Sequence, residues 1–141
     1  MLDLLFNFVH INNIIMVDYE NLIFDLLDSE PSIFGGALID KSGKLLFQTE
    51  NWDISQDLDQ LKSVIAESQK PDGKNPGTIS LMKLSYMVIE FIPERIIATN
   101  VMKKGHIIIA PSKKATLVTF IDPTKGPRDV LFVIQNFARK L

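Results

Sequence analysis

The chain of 141 residues contains no cysteine, one tryptophan, two histidines, and only seven glycines and seven prolines. Each scarcity removes a class of function. Without cysteine there is no disulfide framework, no thiolate metal site and no cysteine nucleophile, which suits a reducing cytoplasm. So few glycines and prolines, with no low-complexity tract, exclude collagen-like, mucin-like and wholly disordered chains. Long apolar runs are lacking too. The most apolar stretch, residues 1–16, is broken by Asp3, Asn7, His10, Asn12 and Asn13, whereas a membrane span needs about 20 mostly apolar residues. The same stretch has no basic start and no small-residue cleavage site, so it does not read as a signal peptide.

Catalytic motifs are equally sparse. His10 lies in the leading stretch, and His106 opens a strand-like run where a structural histidine is the expected reading. With no cysteine and no nucleophile elbow, a catalytic triad has no members. The run from Asp53 to Asp59 opens like a calcium loop, but Leu58 and Val64 stand where that loop requires Gly and Glu. Gly35-Gly36 lacks the spacing and the Lys-Ser/Thr of a phosphate loop, and marks close backbone packing instead. The expectation is a binding protein with no enzymatic activity, cofactor or metal.

What is present makes one globular domain. With 46% hydrophobic and 23% charged residues, a chain of this size buries roughly two-thirds of the surface its unfolded form exposes. A formal charge of −2 hides an asymmetry. Residues 1–94 carry six Lys/Arg against fifteen Asp/Glu, and residues 95–141 carry nine against two. If that basic third folds into one face, it attracts an acidic protein, an anionic lipid headgroup or nucleic acid.

Residue periodicity gives the order of elements. Met16 directly precedes a helix signature, which separates a leading extension, residues 1–16, from a domain over residues 17–141. The extension reads either as lying upstream of a natural start at Met16 or as a segment that docks on the domain or a partner. Asp18 caps a helix with Tyr19, Leu22, Ile23, Leu26 and Leu27 on one stripe, ended by Pro31. Ile33–Ile39 and Lys44–Thr49 form a hairpin around Asp40-Lys41-Ser42-Gly43. Asp53 and Gln56 have the spacing of a capping box and open a second helix bearing Leu58, Leu61, Val64 and Ile65. After the loop from Lys70 to Gly77, the period changes to two. Thr78–Lys83, Ser85–Ile92, Arg95–Met102, His106–Ala110 and Ala115–Ile121 read as an antiparallel meander, and a helix begun by Pro127 runs to Leu141. The expected class is α+β, with a central antiparallel sheet of about seven strands flanked by N- and C-terminal helices and a short middle helix.

The last helix carries the sharpest local signal. At 100° per residue, Val130, Ile134, Phe137 and Leu141 share a core face, with Val133 and Ala138 beside it. Phe132 points almost the opposite way, among Arg128, Gln135 and Arg139, with Leu131 at the border. An aromatic ring without a core reason, ringed by polar groups, reads as an interface anchor.

These elements and several local phrases resemble the profilin family from Asp18 to Leu141. Ser85-Tyr86-Met87-Val88-Ile89 is similar to a strand of that family. Lys103-Lys104-Gly105 with His106-Ile107-Ile108-Ile109 resembles its basic turn into the next strand. Ala115-Thr116-Leu117-Val118-Thr119-Phe120-Ile121, then Gly126-Pro127-Arg128, resemble its closing strand and proline turn. The divergence and the Ile/Lys/Asn-rich composition resemble an archaeal, Asgard-type member. The resemblance implies a cytoplasmic, cytoskeletal regulator of actin polymerisation that binds the actin monomer and acts as a monomer itself. It implies an actin-binding face of Lys125, Gly126, Arg128, Leu131, Phe132 and Gln135, extended on the sheet by Ser85, Met87, Lys103 and Lys104. Glu90 stands where the family is often basic, which weakens the sheet part of that face. Many profilins also hold polyproline between terminal helices through aromatic side chains. Here the first helix has Tyr19 but no Trp, and the last has no terminal Tyr, which argues against strong polyproline binding. Anionic phospholipid is a further ligand for the lysines.

Two other readings compete. A roadblock- or longin-like module, regulating GTPases as a dimer, shares part of the element order but calls for fewer strands after Gly77. An anionic-lipid or nucleic-acid binder would use Lys103, Lys104, Lys113 and Lys114, although no RNA-recognition strand signature appears in the basic third.

Overall fold

The computed structural model describes residues 18–141; the expectations for residues 1–16 lie outside the described residues. Helix α1 (Tyr19–Ser29) leads into strands β1 (Ile33–Asp40) and β2 (Leu45–Gln48), then helix α2 (Leu58–Ser68). Strands β3 (Thr78–Leu81), β4 (Leu84–Ile92), β5 (Arg95–Thr99), β6 (His106–Pro111) and β7 (Ala115–Ile121) follow, and helix α3 (Pro127–Ala138) closes the order. The strands form one seven-stranded sheet in the order β2-β1-β7-β6-β5-β4-β3, with every neighbouring pair antiparallel.

Alternation along each strand divides the core into two layers. On one face, Ile97, Ile108, Leu117 and Ile121 meet Ile23 and Leu26 of α1 and Val130, Ile134 and Ala138 of α3. On the other, Ile96, Ala98, Ile107, Ile109 and Val118 meet Leu61 and Val64 of α2. α1 packs mainly over β1 and α3 over β6 and β7, and on the α3 side of the sheet Met87 of β4 stays exposed.

Several boundaries differ from the sequence reading. Asp53 does not begin an α-helix: its carboxylate accepts from the Ser55 N–H at 2.9 Å and the Gln48 amide, and opens a single 3₁₀ turn, Ser55–Asp57, before α2. The capping-box expectation is therefore corrected, because the strand-β2 glutamine competes for the same carboxylate. β3 stops at Leu81, since Met82 and Lys83 both adopt positive φ in a tight turn. β5 stops at Thr99 because the Asn100 side chain takes over the backbone groups that follow. α3 ends at Ala138, three residues short of Leu141.

The glycine reading holds at Gly35, where an added Cβ would lie 2.8 Å from the Trp52 side chain. Trp52 is buried and stacks on Phe120 with ring centroids 5.9 Å apart. Gly105 is tighter still: its φ is +141°, and a Cβ there would run into the Phe120 ring.

Candidate partner-binding face

α3 begins where geometry and electrostatics agree. Gly126 is the N-cap, Pro127 needs no amide partner at the first turn, and the Asp129 carboxylate accepts from the Gly126 N–H at 3.2 Å. With Val130, Ile134 and Ala138 turned into the core, the opposite stripe faces solvent, and Phe132 is 70% exposed. Leu131 is half-buried against the core and forms the edge of the stripe.

Two contacts tie this stripe to the sheet. Arg128 Nη1 lies 3.2 Å from Glu90 Oε1 on β4, and Gln135 Nε2 donates to the Glu94 carbonyl of the β4–β5 turn at 3.4 Å. Phe132 stands between these residues on the helix. Beside α3, the same side of the sheet shows a row in register across three strands, Met87–Thr99–His106. Thr99 Oγ1 and His106 Nδ1 share a hydrogen bond of 2.8 Å, so His106 has the structural role its position suggested. Met87 and Ile89 are large exposed apolar side chains of β4, and a register shift between Val88 and Glu90 changes the spacing around Ile89.

The β5–β6 turn continues the end of that row. Asn100 is buried, and its Oδ1 accepts from the Met102 N–H at 2.9 Å and the Lys104 N–H at 3.2 Å. Its Nδ2 donates to the Ser85 carbonyl at 2.8 Å, which fixes the turn to β4. The turn projects Val101 and Met102, 70% and 73% exposed, followed by exposed Lys103 and Lys104. Because Ile121 pairs with His106, the loop bearing Lys125 leaves the sheet at this same end.

The structure thus joins Arg128 to β4 and Gln135 to the β4–β5 turn, with Phe132 between them on the helix, and it joins Ser85, Lys103 and Lys104 through Asn100. Lys125 and Gly126 lie at the start of α3, and Met87 lies exposed at the end of the row it shares with Thr99 and His106. It does not join the four lysines of the lipid or nucleic-acid reading. Lys103 and Lys104 lie before β6 and Lys113 and Lys114 after it, at opposite ends of that strand.

Sequence reasoning missed three participants. Strand periodicity extends over Val101 and Met102, and the signal against it is Asn100, a turn-forming residue that with Lys103, Lys104 and Gly105 brackets the turn. Glu90 was read only as a weakening of the face, yet it bonds Arg95 Nε at 2.9 Å and Arg95 Nη2 at 3.2 Å as well as Arg128. The Arg95 hydrogen bonds chiefly, with the charges of Arg95 and Arg128, hold its carboxyl below the ordinary value of 4.5 against the opposing effect of burial.

No family model matches the chain. Among curated proteins, Loki profilin-1 of Lokiarchaeum sp. (strain GC14_75) is 42% identical over 125 residues, covering 86% of this chain and 93% of that protein. The chain belongs to the profilin family. Its fold agrees with the crystal structure of LokiProfilin1, at a TM-score of 0.80 and 42% identity over 89% of this chain and 97% of that one. It agrees equally with the LokiProfilin2 chain of a complex with rabbit actin, at 0.82 and 36% identity with the same coverage. The Asgard-type resemblance and the seven-stranded fold are borne out. The roadblock-like alternative is not favoured, since five strands follow Gly77 within a single sheet. Among the described residues, no helix is long and apolar enough to cross a membrane.

Proposed function

We propose that this profilin binds the actin monomer and regulates actin polymerisation through the exposed stripe of α3, the adjoining surface of β4 and the β5–β6 turn. The observation that carries the reading is Phe132, exposed on α3 with its helix neighbours Arg128 and Gln135 bonded to β4 and the β4–β5 turn. A solvated aromatic ring in a polar frame supplies apolar burial on docking. Lys103, Lys104 and Lys125 at one end of the face favour encounter with an acidic surface. Support also comes from the relatives: solved structures pair Loki profilins 1 and 2 with rabbit actin. The contact residues proposed are Lys125, Gly126, Arg128, Leu131, Phe132, Gln135, Ser85, Met87, Lys103 and Lys104. The role is binding rather than catalysis, in the cytoplasm beside the cytoskeleton, by a domain over residues 17–141.

The test is co-elution with rabbit actin monomer in size-exclusion chromatography. Phe132→Ala and Arg128→Glu each abolish co-elution while leaving the circular dichroism spectrum unchanged. Undiminished binding by both variants removes the α3 face from the reading.

A further inference from the structure

Glu90 is an acid in the middle of a face otherwise read as cationic. Its carboxylate bonds two arginines from different elements: Arg95 on the neighbouring strand through two nitrogens, and Arg128 on the first turn of α3 through Nη1. The side chain of Glu90 is 19% exposed and that of Arg128 is 58% exposed. The acid therefore lies under the rim while the guanidinium of Arg128 reaches past it into solvent. Arg95, bound in two-point fashion, fixes the carboxylate plane, and that plane fixes where Arg128 rests.

We propose that Glu90 is a positioning and specificity-determining residue of the face, a clasp that holds Arg128 and the first turn of α3 against β4 for a partner carboxylate. The inference rests on the actin reading and deepens it. With Nη1 engaged by Glu90, the remaining guanidinium donors of Arg128 are presented in a fixed direction, so a partner carboxylate meets an oriented fork rather than a mobile charge. Ordering Arg128 before the encounter reduces the entropy lost on binding. The Gln135–Glu94 contact restrains the same helix two turns later, so Phe132 is held between two restraints.

The clasp and simple charge attraction give opposite signs. If the face works only by its net positive charge, removing the negative charge of Glu90 strengthens binding to an acidic partner. If Glu90 positions Arg128, Glu90→Gln weakens binding although the face becomes more positive. The amide keeps the shape of the carboxylate but turns an N–H₂ group toward arginine donors. Glu90→Gln is expected to weaken binding to rabbit actin monomer about tenfold, the scale of coupling seen between close charge pairs at interfaces. In an Arg128→Ala background the same change has no further weakening effect, a non-additivity that a general loss of folding does not produce.

Titration calorimetry with rabbit actin monomer, beside hydrogen exchange on the free protein, separates the outcomes. Weaker binding by Glu90→Gln, the lost effect in the Arg128→Ala background, and faster exchange in residues 128–131 with an unchanged circular dichroism spectrum establish the clasp. Unchanged or tighter binding by Glu90→Gln, with unaltered exchange, overturns it while Phe132→Ala still fails to bind. If the unaltered chain does not bind actin, the actin reading fails, and exchange in residues 128–131 then decides alone whether Glu90 holds α3.

Discussion

Single residues show how local rules produced the face and where they stopped. The outward direction of Phe132 was legible because one proline dates the helix start and a period of 3.6 does the rest. The Arg128 contact of Glu90 was not, since Arg128 is remote in sequence and reaches it only through the strand register and the seating of α3. Glycines carry their own constraint. At Gly105, φ is +141° and a Cβ would lie 2.8 Å from the Ile121 carbonyl oxygen as well as against Phe120. Gly105→Ala therefore combines backbone strain with overpacking and is expected to lower stability by about 2–4 kcal/mol in urea denaturation. Gly77, with φ +82° and open space around it, serves as the reference position where only the backbone is strained. Acid sensitivity also belongs to this scale. Ser42 lowers the Asp40 carboxyl, Ser55 lowers Asp53, Lys70 lowers Glu67 and Arg95 lowers Glu90, each chiefly by a side-chain hydrogen bond. A carboxyl whose folded pKa is depressed stabilises the fold fully above its unfolded pKa and loses that contribution as pH falls through the folded value. For Glu90 the loss begins below its ordinary 4.5. Stability measured by chemical denaturation should thus decline from about pH 5 downward, and Glu90→Gln should flatten part of that decline. An equal acid slope in the variant would show that the Arg95 and Arg128 contacts contribute nothing to folding.

Elements were legible where a sequence signal is local and failed where a side chain or a distant strand decides. α1 was readable because Asp18 caps it, accepting from the Asn21 N–H at 3.1 Å, and Pro31 follows its end. β7 kept the boundaries its alternation suggested. The β3–β4 turn was hidden: Met82 and Lys83 adopt φ of 49° and 67° without the Asn or Gly that usually marks such a turn. The Asp57 carboxylate, which accepts from the Met82 N–H at 3.0 Å, compensates from outside the hairpin. Within α3, the division between core and surface should appear as a division in energy. Ile134 is fully buried between α1 and the sheet, so Ile134→Ala removes packed volume and is expected to cost about 2–5 kcal/mol. Phe132→Ala deletes an exposed ring and should change stability by no more than about 0.5 kcal/mol. Urea titrations of the two variants check this directly. A large loss on truncating Phe132 would mean that its ring supports the fold and is not a free anchor.

For the whole molecule, the basic third of the sequence turned out not to be one surface. β6 separates Lys103 and Lys104 from Lys113 and Lys114, and six residues of strand at about 3.3 Å each make roughly 20 Å. That exceeds the Debye length of about 8 Å at physiological salt, so the two groups act as independent charges. The strand expected between the two pairs already implies this separation, because an antiparallel meander folds successive turns to alternate ends of the sheet. The end that carries Lys103 and Lys104 also carries the loop of Lys125, beside Val101 and Met102. This arrangement predicts how salt affects the proposed actin encounter. Exposed lysines steer association and contribute little once the apolar centre has docked. Raising sodium chloride from about 50 to about 200 mM should therefore slow association several-fold and leave dissociation nearly unchanged. Lys103→Glu/Lys104→Glu should reduce both the association rate and its salt dependence, whereas Lys113→Glu/Lys114→Glu should change neither. Stopped-flow mixing with labelled actin monomer distinguishes the pairs. Equal sensitivity to both substitutions would mean that the partner's acidic surface also reaches the lysines beyond Gln135 and Glu94, at the other end of β6.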